Sequence, residues 1–295
     1  MSHWTAANLE DQSGRTFVIT GANSGIGLSA ARELAGKGAH VVLAVRNTAK
    51  GEAAVRTING STEVRALDLA DLASVRTFAD EQEPFDVLIN NAGVMNVAQG
   101  RTKDGFELQI GTNHLGHFAL TNLLLPKLRD RVVVVASGAH RIGRINLEDL
   151  NWEHARYQRY RAYGQSKLAN LLFMSELQRK LVAAGSDVKA VGAHPGWAAT
   201  NLQSHAPSKL ENGVMAIANR LLAQSGDMGA LPTLFAATQE LPGDAYIGPG
   251  GAGEMRGHPA PANRSGAAQD AETARALWDL SERLTNTHFG LAVPA

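Results

Sequence analysis

A doubly wound α/β fold, a parallel sheet of about seven strands with helices on both faces, is what the 295-residue sequence predicts. Three observations carry that expectation. Short runs of β-forming residues alternate with segments of helical spacing from residue 15 to residue 193, which marks successive βαβ units. Val132, Val133, Val134 and Val135 stand in a row, as suits a strand buried on both faces. Between the first strand and the first helix lies Thr20-Gly21-Ala22-Asn23-Ser24-Gly25-Ile26-Gly27.

The elements follow in order. Residues 15–19 read as the first strand and 28–34 as the first helix. Glycines at such a junction let the backbone turn sharply and approach a ligand closely. The helix start offers free N–H groups and the positive end of a dipole, which suits a pyrophosphate. The spacing is Gly-x-x-x-Gly-x-Gly rather than the common Gly-x-Gly-x-x-Gly. Residues 39–45 form the second strand, 48–58 a helix, 63–67 the third strand, and 74–79 belong to another helix. The fourth strand, 86–89, runs into Asn90-Asn91-Ala92-Gly93. Phe106, Ile110, Leu115, Phe118, Leu123 and Leu124 recur at helical spacing and predict one long helix over about 106–128. Strand five covers 131–136, a polar segment 140–161, and a second long helix 162–183. Strand six, 188–193, ends at His194-Pro195-Gly196. Helices fit 210–223, 228–238 and 271–284, with a loop rich in Gly and Pro over 248–266. Right-handed crossovers restrict this order to a doubly wound sheet. With no repeat, linker or charge block, residues 1–295 read as a single domain with a small substrate lid at about 195–225.

Bulk composition narrows the function. Hydrophobic residues make up 44% and the formal net charge is +0, which allows a sizeable core and disfavours a nucleic-acid partner. There is no cysteine, so disulfides, thiolate chemistry and cysteine-based metal sites are excluded, and no metal site is assigned. Met1-Ser2-His3-Trp4-Thr5 does not read as a signal peptide, and no apolar run has the length of a membrane span. A cytoplasmic protein without a membrane anchor is the expectation.

Four polar positions carry the chemistry. Ser137 follows the valine strand, and ligands of open parallel sheets bind beyond the carboxyl ends of strands. The competing role for Ser137 is a turn cap. Tyr163 and Lys167 are four apart on a helix, hence on one face. A phenol with pKa of about 10 is a poor base until a nearby ammonium favours its anion. The pair can then exchange a proton with an alcohol or a developing alkoxide, while Ser137 holds the same oxygen. Asn113 sits inside the long apolar helix, where asparagine is an indifferent former. It can kink the helix and hold a water.

Together these pieces resemble the short-chain dehydrogenase/reductase family, whose Rossmann fold and glycine spacing are those expected here. The resemblance rests on the glycine turn, Asn90-Asn91-Ala92-Gly93, Asn113, Ser137, Tyr163-Gly164-Gln165-Ser166-Lys167 and Pro195-Gly196, over about the first two hundred residues. It implies Tyr163 as general acid/base, and Lys167 holding the nicotinamide ribose and lowering the phenol pKa. It also implies Ser137 orienting the substrate carbonyl and Asn113 supporting a proton relay. Gly21, Asn23, Ser24, Gly25, Ile26 and Gly27 would hold the pyrophosphate, and Asn90, Ala92 and Gly93 would line the adenosine half. Asp68 and Leu69 would contact adenine, while Pro195, Gly196 and Thr200 would meet the nicotinamide side. Ala136-Ser137-Gly138-Ala139-His140, Asp149-Leu150-Asn151-Trp152 and Gly248-Pro249-Gly250-Gly251 look like the retinol dehydrogenase branch.

Members that use NAD often carry an acid at the end of the second strand. Here Val45 is followed by Arg46, where a guanidinium could pair with a 2′-phosphate. NADP(H) is therefore expected over NAD(H). Trp197, Leu202, His205, Leu210 and Met215, with Trp152, Tyr157 and Tyr160, suggest a small-molecule carbonyl or alcohol of apolar character. His194 reads as a strand-end structural residue. The resemblance also implies a homodimer or homotetramer through the helices near 106–128 and 162–183. The alternative function is a silent NAD(P)-binding regulator or scaffold, which would typically lack the tyrosine or lysine; an epimerase or dehydratase would need a larger C-terminal lobe.

Overall fold

The computed structural model describes residues 3–196 and 226–292. Their strands form one eight-stranded sheet in the order β3-β2-β1-β4-β5-β6-β7-β8. These are β1 Thr16–Thr20, β2 His40–Val45, β3 Ser61–Ala66, β4 Phe85–Asn90, β5 Leu128–Val135, β6 Lys189–Ala193, β7 Tyr246–Pro249 and β8 Pro259–Pro261. The first seven run parallel, and β8 pairs antiparallel with β7. The last two strands lie in and beside the stretch expected to be a Gly/Pro-rich loop. Their brevity and the prolines of β8 hide them from periodicity, and proline is tolerated on an edge strand.

Alternation along the strands divides the core in two. Val18, Val42, Leu88, Val132 and Val134 face one side, with α3 (Leu72–Glu81), α5 (Gly116–Leu124), α6 (Arg159–Ala183) and α8 (Ala271–Thr285). Phe17, Ile19, Val41, Leu43, Val87, Ile89, Val133 and Val135 face the other, with α1 (Gly25–Gly36), α2 (Thr48–Val55) and α7 (Gly226–Thr238). The order reverses between β1 and β4, so a crevice opens at the carboxyl ends of those strands.

The helix expected over 106–128 is shorter and interrupted. Glu107 caps a single turn, α4 (Leu108–Ile110), by accepting from Gln109 N at 2.9 Å and Ile110 N at 2.8 Å. A π turn, Gly111–Leu115, joins it to α5, and the Gly116 N–H reaches the Gly111 carbonyl five residues back. Pro126 lies in a 3-10 turn after α5, and β5 starts at Leu128.

The helix α8 packs on α5 and α6. Trp278 packs edge-on to Phe118 at 4.8 Å between centroids and stacks on Phe173 at 5.7 Å. Among the described residues, no helix is long and apolar enough to cross a membrane. The expected helix over 210–223, most of the lid, and Trp197, Thr200, Leu202, His205, Leu210 and Met215 lie outside the described residues.

Candidate active site

A cavity of about 560 Å³ occupies the switch point. The glycine turn forms one wall. Gly21 and Gly25 adopt positive φ, at 68° and 56°, which strains a residue with a Cβ. A Cβ on Gly27 would lie 2.5 Å from the Asn91 side-chain nitrogen, so the turn packs closely against the side chain that follows β4. Ser24, at the N-cap of α1, makes no side-chain cap bond, leaving the helix's first N–H groups to a ligand or water. A glycine cradle with free N–H groups fits a pyrophosphate.

Around this cradle, Gly21, Asn23, Ser24, Gly25, Ile26, Gly27, Arg46, Asp68, Leu69, Ala92, Gly93, Pro195 and Gly196 all line the cavity. Arg46 is exposed at the end of β2. Asn90 is a correction. It falls on the same strand face as Leu88, is buried, and donates to Thr121 Oγ1 at 2.8 Å; its neighbour Asn91 lines the cavity instead.

On the opposite wall, Ser137, Tyr163 and Lys167 come together. Ser137 is both cap and site residue: its Oγ accepts from Ala139 N at 3.2 Å, and it lines the cavity beside Tyr163. Burial pushes the phenol up to about 12, and the neighbouring Ser137 hydroxyl, which favours the phenolate, offsets part of that shift. Burial pushes Lys167 down to about 8. The Lys167 ammonium donates to the Val135 carbonyl at 3.0 Å and lies 5.8 Å from the centre of the Tyr163 ring. Asn113 stands behind the wall, fully buried in the π turn. Its Oδ1 accepts from Val94 N at 2.8 Å, and its Nδ2 donates to Val94 O and to Ser166 Oγ, each at 2.9 Å. It therefore ties the turn after β4 to the helix that carries Tyr163 and Lys167.

Of Trp152, Tyr157 and Tyr160, the described aromatics expected near the substrate, only Tyr160 lines the cavity. Tyr157 donates to Glu107 Oε1 at 2.9 Å and packs edge-on to Trp152, so this pair anchors the polar segment. Residues that periodicity did not mark also line the cavity: Arg141, His194, Glu254 and Met255. Glu254 bridges Arg141 Nη2 at 3.3 Å and His194 Nε2 at 3.4 Å, from a backbone with φ of 56°. No local pattern announces a contact between the turn after β5 and the segment between β7 and β8. Tyr160 and Met255 are 50% and 43% exposed, giving the mouth an apolar rim.

Residues 15–211 match the family model described as short chain dehydrogenase. Retinol dehydrogenase 13 of Homo sapiens is 43% identical over 298 residues, covering 96% of this chain and 86% of that protein. Polyprenol dehydrogenase of Mus musculus is 41% identical over 304 residues, covering 96% and 87%. The crystal structure of an uncharacterised protein from Mycobacterium paratuberculosis is 57% identical, with a TM-score of 0.87, covering 98% of this chain and 100% of that one.

Proposed function

We propose that this chain, which belongs to the short-chain dehydrogenase family, interconverts an apolar carbonyl and its alcohol with NADP(H) preferred over NAD(H). That it is an oxidoreductase acting on alcohol and carbonyl groups follows from the family and from the dehydrogenases it resembles. The observation that carries the finer reading is the convergence of Ser137, Tyr163 and Lys167 on the wall facing the glycine turn, with Asn113 bracing them from behind.

A bound nicotinamide dinucleotide supplies or accepts the hydride. The glycine turn would hold its pyrophosphate, Asp68 and Leu69 its adenine, and Lys167 with Pro195 and Gly196 its nicotinamide side. Ala92 and Gly93 would complete the wall, and Arg46 would meet a 2′-phosphate. In the reducing direction, Ser137 and Tyr163 hold the substrate oxygen. The phenol, protonated at neutral pH, gives its proton to the developing alkoxide. The Lys167 charge then stabilises the phenolate left behind. Asn113, by fixing Val94 and Ser166, keeps the relay in register. The apolar rim at Tyr160 and Met255, and relatives named for retinol and polyprenol, support an apolar substrate. The reading includes a cytoplasmic location, which cell fractionation tests.

The direct test is NADPH and NADH oxidation with a panel of apolar aldehydes and ketones. Tyr163→Phe should lower kcat/KM by about 10²–10⁴-fold while NADPH binding persists. Arg46→Asp should move the ratio of kcat/KM values towards NADH. Full activity in the phenylalanine variant would remove Tyr163 from the mechanism; an unmoved cofactor ratio would remove Arg46.

A further inference from the structure

We propose that His117 is a positioning residue of this site: one hydrogen bond at each ring nitrogen registers the glycine turn against the π turn that carries Asn113. The inference rests on the functional reading above. His117 lies on α5, is 2% exposed, and touches neither the cavity nor the surface. Its Nδ1 is 3.0 Å from the Asn113 carbonyl, and its Nε2 is 2.9 Å from Thr20 Oγ1. Thr20 is the last residue of β1, immediately before Gly21.

Saturation of the partners settles which nitrogen carries the proton. A backbone carbonyl only accepts, so Nδ1 must donate to Asn113. Thr20 Oγ1 already accepts from the backbone N–H groups of Asn91 and Ala92, each at 2.9 Å. Its two lone pairs are used, and its single hydrogen must go to His117 Nε2, because the other acceptor in reach, the Ile89 carbonyl, is 3.4 Å away. The two ends agree on one neutral tautomer, protonated at Nδ1. Burial, with the nearby Lys167 charge adding to it and the Asn113 carbonyl opposing it, holds the ring at about 4, hence neutral at pH 7.

The ring thus sits between the two halves of the site. On one side, Thr20 holds the Asn91–Ala92 amides with its hydroxyl, and its own carbonyl accepts from Asn91 Nδ2 at 2.7 Å. Gly21 packs on Ala92, and Gly27 on Asn91. On the other side, Asn113 holds Val94 and the turn of α6 between Tyr163 and Lys167. An apolar replacement would leave the Thr20 hydroxyl free to rotate and the Asn113 carbonyl without its imidazole donor.

Conservative variants separate the two bonds. The asparagine amide nitrogen falls near the position of Nδ1, and the glutamine amide oxygen can reach that of Nε2. The experiment measures Kd for NADPH by fluorescence titration, kcat and KM with a reducible carbonyl, the pH profile of kcat/KM and Tm, for the full chain and three variants. His117→Leu should weaken NADPH binding and lower kcat, each by about tenfold or more. Relative to it, His117→Asn should recover kcat but not Kd, and His117→Gln should recover Kd but not kcat. If the leucine variant fails to fold, the comparison of the asparagine and glutamine variants carries the test. The inference is overturned by a leucine variant with unchanged Kd, kcat and pH profile. It is equally overturned by asparagine and glutamine variants that change Kd and kcat together. A wild-type chain that binds neither NADPH nor NADH overturns the functional reading, and this inference with it.

Discussion

Tyr163 and Lys167 stand one helical turn apart, and burial drives both towards their neutral forms. The phenol, held at about 12, stays protonated through neutral pH and is poised as an acid. The amine, held at about 8, is charged below that value and loses its charge above it. The sign for reduction follows. The phenolate formed by proton donation is stabilised only while Lys167 is an ammonium, so kcat/KM for carbonyl reduction should fall as pH rises through about 8. A pH–rate profile of the free enzyme measures this, and a profile flat to pH 10 would sink it. Type and spacing marked both residues and Ser137 as candidates, and the family resemblance supplied their roles. Their perturbed acidities were not, because burial is a property of the packed wall around them.

At the scale of elements, two close approaches shape the site. Asn113 is legible as an odd residue in an apolar helix, but the π turn around it is not, since helical periodicity is nearly the same on either side of one widened turn. The second approach brings α6 against the 3-10 turn Gly138–Ile142 that begins at Ser137. A Cβ on Gly164 would lie 2.9 Å from the Ala139 carbonyl oxygen and 3.1 Å from Gly143 N, both backbone atoms. Gly164→Ala should therefore push Ser137 away from Tyr163, lowering kcat/KM by about tenfold or more, with a loss of stability of about 1–3 kcal/mol. Gly36→Ala is the control. A Cβ there meets nothing within 4 Å, and the change should leave activity intact. Steady-state kinetics and Tm decide; equal kinetics for the two variants would show that this contact does not hold Ser137.

At the scale of the molecule, the site is the place where two apolar layers meet at the carboxyl ends of the central strands. Burying His114, His117 and His194 in those layers makes the fold sensitive to acid. Desolvation lowers each from its ordinary 6.5, to about 3, about 4 and about 4 respectively; Glu254 opposes the shift at His194. The unfolded chain therefore takes up protons that the folded chain refuses. Stability from these groups is full above pH 6.5 and is lost as pH falls from 6.5 through the folded values, at about 1.4 kcal/mol per pH unit for each histidine. Tm should drop steeply between pH 6.5 and 5, before most carboxylates titrate. A constant Tm across that interval, by calorimetry or circular dichroism, would contradict buried neutral histidines.

The sequence by itself determined the doubly wound sheet through β6, the glycine turn, and the serine, tyrosine, lysine and asparagine of the site. The sheet and the turn are written in local signals, alternation and helical spacing, whereas the four polar residues stood out through their joint resemblance to one family's motifs. Only the tertiary structure decided that Asn91 rather than Asn90 faces the cavity, because one residue of register reverses a strand's faces. It also decided that Glu254 and Met255 wall the cavity. Those residues arrive from more than a hundred positions after Ser137, carried by the pairing of β6, β7 and β8. His117 belongs to the same class. Its importance lies in two hydrogen bonds, one of them to a residue ninety-seven positions away, and no periodicity in the chain records such a contact.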